Sequence, residues 1–272
     1  IFGLKAVWII LACVISAVLS EFVFNLCIKK KQTIGDLSAV VTGLILALNL
    51  STKVAIWQCV LGSVFAIIVV KCLFGGLGKN IVNPAIAARV FLLLTFASVA
   101  GGGQPINPDI VSSATPLAAL NEGKDAAGIP TLLQLFIGNH GGTIGETCAI
   151  ALLIGYIYLV VRKVIKWYVP LTFVLTVFLC YLIADGSCTF ALSHVLAGGL
   201  LFGAIFMATD YVTTPISNLG KIIFCVGCGL ITFAIRKYGS YPEGVSISIL
   251  VMNLLVPLIE KISVPRTLGG IR

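Results

Sequence analysis

Residues 109–117 read Asp-Ile-Val-Ser-Ser-Ala-Thr-Pro-Leu, and their types permit a covalent chemistry. The Thr115 hydroxyl follows three small residues, Ser112, Ser113 and Ala114, which leave the backbone open to a modifying enzyme. Further on, the run from Gly138 to Glu146 (Gly-Asn-His-Gly-Gly-Thr-Ile-Gly-Glu) stands directly before an apolar stretch. A Gly-rich turn that opens a helix offers exposed amides and the positive end of the helix dipole, which suits a phosphate. A phosphorylated cofactor tethered at Thr115 and cradled by Gly141, Gly142 and Thr143 is one reading. An ordinary Ser/Thr-rich turn followed by a Gly-rich helix start is the other.

Other reactive side chains are scattered. Arg89 lies one turn into a helix expected to start at Pro84, where it would face a cofactor, a phosphate or an acidic partner, or reach the membrane interface. Asp210 ends one apolar segment and Glu243 opens another; an ion path and helix capping are equally open for both. His194 sits inside an apolar segment with no His or Cys cluster nearby in sequence, which favours packing over ligation. The nine cysteines lie mostly in apolar runs, unlike a secreted disulfide framework. Cys225 and Cys228 are one helical turn apart, but no second pair has metal-site spacing, so two small membrane-helix residues are the better reading. No catalytic or metal-ligating residue is expected.

The elements that must position these groups are membrane helices. The chain has 272 residues, of which 59% are hydrophobic and 10% charged, with mean hydropathy +1.11. Soluble domains carry about 25% charged residues, so lipid must be the solvent for most of this chain. The net charge of +8 is spread in short clusters between apolar runs, which encodes topology and does not point to nucleic acid. Apolar segments fall near 4–28, 37–50, 54–74, 84–100, 146–161, 167–184, 190–209, 219–235 and 244–261. The segment 37–50 is short, and Asp36 can cap it.

Lys29-Lys30-Lys31 puts the end of the first segment in the cytoplasm. By alternation the Gly/Pro/Ser/Thr-rich loop 101–145 lies outside, and Arg162, Lys163 and Lys166 lie inside. Arg236 and Lys237 then fall on the wrong side, so either a boundary is misplaced or they have a specific task. The chain also repeats at an offset near 155–158 residues. Val40 to Leu44 matches Val195 to Gly199, and the helix start at Asn83-Pro84-Ala85 matches Tyr241-Pro242-Glu243. Five segments per copy would invert the second copy, as in transporter-like folds. The expected fold is therefore all-α, a single transmembrane domain over 1–272. Repeat one covers about 1–145 with its loop, and repeat two about 146–272.

At Asp109–Thr115 the chain resembles the flavin-transferase acceptor motif Asp-x-x-Ser/Thr-Gly-Ala-Thr, with Ser113 in place of the commoner Gly. The resemblance runs along most of the chain. It is carried by Lys31-Gln32-Thr33-Ile34-Gly35-Asp36, Phe74-Gly75-Gly76-Leu77-Gly78, Asn83-Pro84-Ala85-Ile86-Ala87-Ala88-Arg89, Met207-Ala208-Thr209-Asp210-Tyr211 and Tyr241-Pro242-Glu243-Gly244-Val245. These are similar to the D subunit of the Rnf complex, a ferredoxin:NAD oxidoreductase, and to the related B subunit of the sodium-translocating NADH:quinone reductase. The resemblance implies a ten-helix, urea-transporter-like bundle of two inverted repeats, with one helix before Ile1. It implies FMN joined to Thr115 by a phosphodiester bond, with Asp109 in the recognition motif, and a second, non-covalent riboflavin. It implies partners in other Rnf membrane subunits and an external flavoprotein, export of Na⁺ or H⁺, a bacterial cell-membrane location and an extracytoplasmic flavin loop. A small-solute channel, a cofactor-free anchor and the quinone-reductase B subunit are the competing readings.

Overall fold

The computed structural model describes residues 2–96, 116–117, 120, 130–138, 140–239 and 243–263. All regular elements among these residues are helical. They are α1 (Gly3–Cys27), a 3-10 turn (Ile34–Asp36), α2 (Ser38–Leu48), α3 (Ile56–Val64, continuing as a π-helix over Phe65–Cys72) and α4 (Pro84–Thr95). After the loop come α5 (Leu132–Ile137), α6 (Ala149–Val161), α7 (Tyr168–Asp185), α8 (Cys188–Leu196), α9 (Leu200–Phe202, with a π-helical continuation Gly203–Met207), α10 (Asn218–Tyr238) and α11 (Val245–Ser263). Four helices, α1, α7, α10 and α11, are long and apolar enough to cross a membrane, and α8 with α9 adds a fifth bent by 66°. The chain is thus a multi-pass membrane protein. Each of the nine apolar segments holds a helix among the described residues, but α2, α3, α4 and α6 fall short of about 20 residues, and the segment read as continuous over 190–209 is broken.

The helices are built inside out relative to soluble ones. On α1, Leu4, Trp8, Leu11, Ile15, Leu19 and Leu26 face outward, while Ala6, Cys13, Ser16, Ala17, Ser20 and Glu21 face inward. Small inward residues let backbones approach, because lipid offers no hydrophobic drive for association. Gly43 of α2 shows the result: a methyl group there would meet the Cys13 carbonyl at 2.8 Å and the Val14 Cα at 2.9 Å.

Two apolar cores result. One joins α1 to α4 through Ile9, Cys13, Leu46, Cys59, Ala88 and Leu92. The other joins α6 to α11 through Leu152, Phe173, Phe202, Phe224, Cys228 and Ile249. Helix α4 serves both, giving Ala85, Ala88 and Leu92 to the first and Ile86 and Val90 to the second. Its start is fixed by Asn83, whose side chain accepts from the Ala85 amide (3.0 Å) and the Ile86 amide (3.4 Å), with Pro84 in the first turn. Arg89, one turn on, is carried to the junction of the two cores. Asp36 caps α2 as expected, accepting from the Ser38 amide at 2.8 Å.

Candidate functional site

Arg89 is buried and donates to Asn49 Oδ1 at the end of α2 and to Glu243 Oε2 just before α11. Of the partners open to it in the sequence, the structure supplies an acid of its own chain. Asn49 Nδ2 donates to the Ile45 carbonyl (2.8 Å) and to Met207 Sδ (3.4 Å). Glu243 Oε1 accepts from the Gly199 amide, at the α8–α9 break, at 3.2 Å. Glu146, 8% exposed, accepts from the Thr143 amide through Oε1 (2.8 Å), while its Oε2 has no partner among the described residues. Elements from both halves meet here, and each holds a charge or a break in helical hydrogen bonding. Burying such charges is tolerable because they are paired.

The Gly-rich turn does not open α6, which starts later, at Ala149. It lies across the end of α2, where the Ile144 amide donates to the Leu50 carbonyl (3.1 Å) and the Gly145 amide to the Leu48 carbonyl (2.7 Å). A helix that ends away from water leaves carbonyls in need of donors, and these amides meet that need. The amides of Thr143, Ile144 and Gly145 are therefore committed within the protein. Beside them His140 is buried, with Nδ1 3.0 Å from the Gly141 carbonyl, and burial pushes its imidazole below the ordinary value.

At the end of α8 a side chain supplies the donors. Arg236, 2% exposed, donates to the carbonyls of His194 (2.6 Å) and Ala197 (3.4 Å). Lys237 pairs with Asp185 at 3.0 Å. The two basic residues that broke the charge rule thus have specific tasks. Helices α7 and α10 run parallel: Tyr168 and Lys166 both meet Asn218 at one end, and Asp185 meets Lys237 at the other. His194 packs as expected, stacked on Tyr181 at 3.8 Å and edge-on to Phe190 at 4.8 Å. Cys225 and Cys228 are reduced and buried in the second core.

Between α2, α4, α6 and α9 lies a cavity of about 430 Å³. Its walls are mainly apolar, with Thr42, Lys71, Asn80, Asn83, Asp210 and Phe206 among them. Asp210 acts as a loop cap, accepting from Asn83 Nδ2 (3.3 Å), Thr213 Oγ1 (2.9 Å) and the Val212 amide (3.3 Å). A second buried ion pair borders the cavity. Lys71, in the π-helical continuation of α3, donates to Glu21 Oε1 at 2.9 Å and to Ser38 Oγ at 2.6 Å, and Thr33 Oγ1 donates to the same Glu21 oxygen at 2.7 Å.

Asp109, Ser112, Ser113, Ala114 and Thr115 lie outside the described residues. Leu117 and Leu120, just after them, are buried against Leu135 and Ala197 beside the α8–α9 break. Sequence reasoning missed Glu146, Asn49, Glu21 and Lys71. Glu21 and Lys71 carried a readable signal, since a lone charge within an apolar run is costly and needs a partner.

The model of the NQR2, RnfD, RnfE family matches residues 1–269. The D subunit of the Na⁺-translocating ferredoxin:NAD⁺ oxidoreductase complex of Acetobacterium woodii is 46% identical over 273 residues, covering 99% of this chain and 84% of the relative. Its proton-translocating counterpart from Clostridium ljungdahlii is 37% identical over 290 residues, covering 98% and 85%. The D subunit of the ion-translocating oxidoreductase complex of Stutzerimonas stutzeri is 37% identical over 311 residues, covering 99% and 86%.

Proposed function

The chain belongs to the NQR2, RnfD, RnfE family, and from that premise we propose that it is the membrane D subunit of an ion-translocating ferredoxin:NAD oxidoreductase complex. The similarity to D subunits of such complexes along nearly the whole chain carries the reading. On it, the chain works with other membrane subunits and an external flavoprotein in a bacterial cell membrane, with loop 101–145 extracytoplasmic. The two halves are inverted repeats; the helix starts at Pro84 and near Glu243, joined by the Arg89–Glu243 pair, support that.

The cofactors of the reading are FMN on Thr115 and a non-covalent riboflavin. When bound, they supply the electron-transfer chemistry. The motif Asp109–Thr115 supports the first. Leu117 and Leu120 anchor the chain that follows Thr115 beside the break, restricting where that chain can travel. The cavity beside α4 suits the second. Its volume of about 430 Å³ falls within the usual range for small-molecule sites, roughly 300–1,000 Å³. Apolar walls accept a flat tricyclic ring, and the Asn80, Asn83 and Thr42 side chains stand at polar positions along it. Lys71, paired with Glu21, and Asp210 also line the cavity.

Flavin fluorescence in a denaturing gel, with a flavin transferase coexpressed, tests the covalent site. The wild-type band is expected to fluoresce and the Thr115→Ala band to be dark. A dark wild-type band, with the transferase active on a control, removes covalent FMN and favours a channel or anchor. Acid-extractable riboflavin is expected to remain in Thr115→Ala and to fall at least severalfold in Thr42→Leu, which enlarges a side chain of the cavity lining and leaves the Asn83 cap of α4 in place.

A further inference from the structure

Glu146 and Glu243 approach one point beside Gly199. A methyl group placed on Gly199 would overlap Glu243 Oε1 and lie 3.0 Å from Glu146 Oε2. The remaining oxygens are engaged, Glu243 Oε2 by Arg89 and Glu146 Oε1 by the Thr143 amide. Glu146 Oε2 alone of the four is buried without a donor among the described residues. A buried carboxylate oxygen lacking a donor is costly, and adding a proton both neutralises it and makes it a donor. Two carboxyl groups in one site do not both ionise readily.

We propose that Glu146 and Glu243 form a proton-binding carboxyl pair at the junction of the two halves, holding one proton between Glu146 Oε2 and Glu243 Oε1. Among the described residues, the charged groups that face the pair are Arg89 from α4 and Arg236 from α10. Arg89 is paired directly to Glu243, whereas Glu146 Oε2 has no donor among the described residues, so Glu146 is the member that carries the proton. Arg236 is engaged by the carbonyls of His194 and Ala197. The ligand is a proton and not a metal ion, because hard cations take about six or more oxygens. Here the shared space offers two carboxylate oxygens among the described residues, of which Glu243 Oε1 already accepts from the Gly199 amide and Glu146 Oε2 alone lacks a donor. Gly199 is the hinge of the arrangement: its amide holds Glu243, and its missing side chain leaves the space in which the acids meet. This inference goes beyond the flavin reading and does not depend on it.

The test is infrared difference spectroscopy on the purified complex containing this subunit, Glu146→Gln against wild type, in H2O and D2O across a pH series. The expected result is a protonated-carboxyl C=O band at neutral pH, shifted by D2O and lost in Glu146→Gln. Its frequency or titration midpoint should move in Glu243→Gln, and Glu146→Asp, which keeps the acid, should retain the band at a changed frequency. Thr115→Ala complexes should keep it unaltered, separating this result from the fate of covalent flavin. The proposal is overturned if wild type and Glu146→Gln show no such difference, or if Glu243→Gln leaves the band unmoved. It is also overturned if the band vanishes when Na⁺ replaces choline at constant pH, since the pair would then take a metal cation.

Discussion

Helices α2 and α8 both stop inside the protein, and they terminate differently. Carbonyls at the end of α2 are met by backbone amides of Ile144 and Gly145. Those at the end of α8 are met by the guanidinium of Arg236. In each case the reason is the same, since a carbonyl cut off from water needs a donor from the protein. The first solution depends on chain path and so on small residues that allow a close approach. The second depends on one side chain and is open to removal by one substitution.

Arg236→Met should therefore show the largest effect, about 3 kcal/mol or more, since hydrogen bonds from charged donors each contribute about 1.5–3 kcal/mol. Unfolding in mixed micelles measures it, and a loss under about 1 kcal/mol would mean that other donors cover the α8 carbonyls. Arg89→Met, which strands Glu243, should cost about 3 kcal/mol, with much of that recovered in Arg89→Met/Glu243→Met. The double-mutant cycle in the same assay reads the coupling, and strict additivity would rule out a direct pair. At the α2 end, Gly145→Ala would set a methyl group 2.7 Å from Leu48 Cβ and 3.0 Å from the Leu48 carbonyl oxygen. It should cost about 1–3 kcal/mol through overpacking, with faster amide exchange at Gly145 as its signature. Lys237→Met removes a partly exposed pair with Asp185 and should change stability by under about 1 kcal/mol. A larger loss would show that Lys237, not Arg236, anchors this end of α10.

The helical segments are legible because a chain in lipid must announce its spans by composition, and each of the nine apolar runs holds a helix, the run 190–209 holding two. The break after α8 is not, since Ala197-Gly198-Gly199 reads as a tolerable stretch of membrane helix. What interrupts it is Arg236, remote in sequence, together with Gly198 in the left-handed region at φ +72°. The misfit of Arg236 and Lys237 with the charge rule is the visible trace of that contact. Arg89 is legible by its place after Asn83-Pro84, whereas Glu146 looks like the end of a loop. Its partnership with Glu243 exists only once both halves have folded against α4. The turn at Gly141 to Gly145 reads as a helix start because local composition cannot show that another helix needs its amides.

Arg162, Lys163 and Lys166 stand at one end of the parallel pair α7 and α10, and Arg236 and Lys237 at the other. A nascent segment is oriented by the difference in basic residues across it, and around α10 that difference is weak. Two contacts with its neighbours hold this end of α10 in place: Asp185 pairs with Lys237, and the carbonyls of α8 accept from Arg236. Loss of Arg236 therefore removes a determinant of where α10 sits that the weak charge difference does not replace.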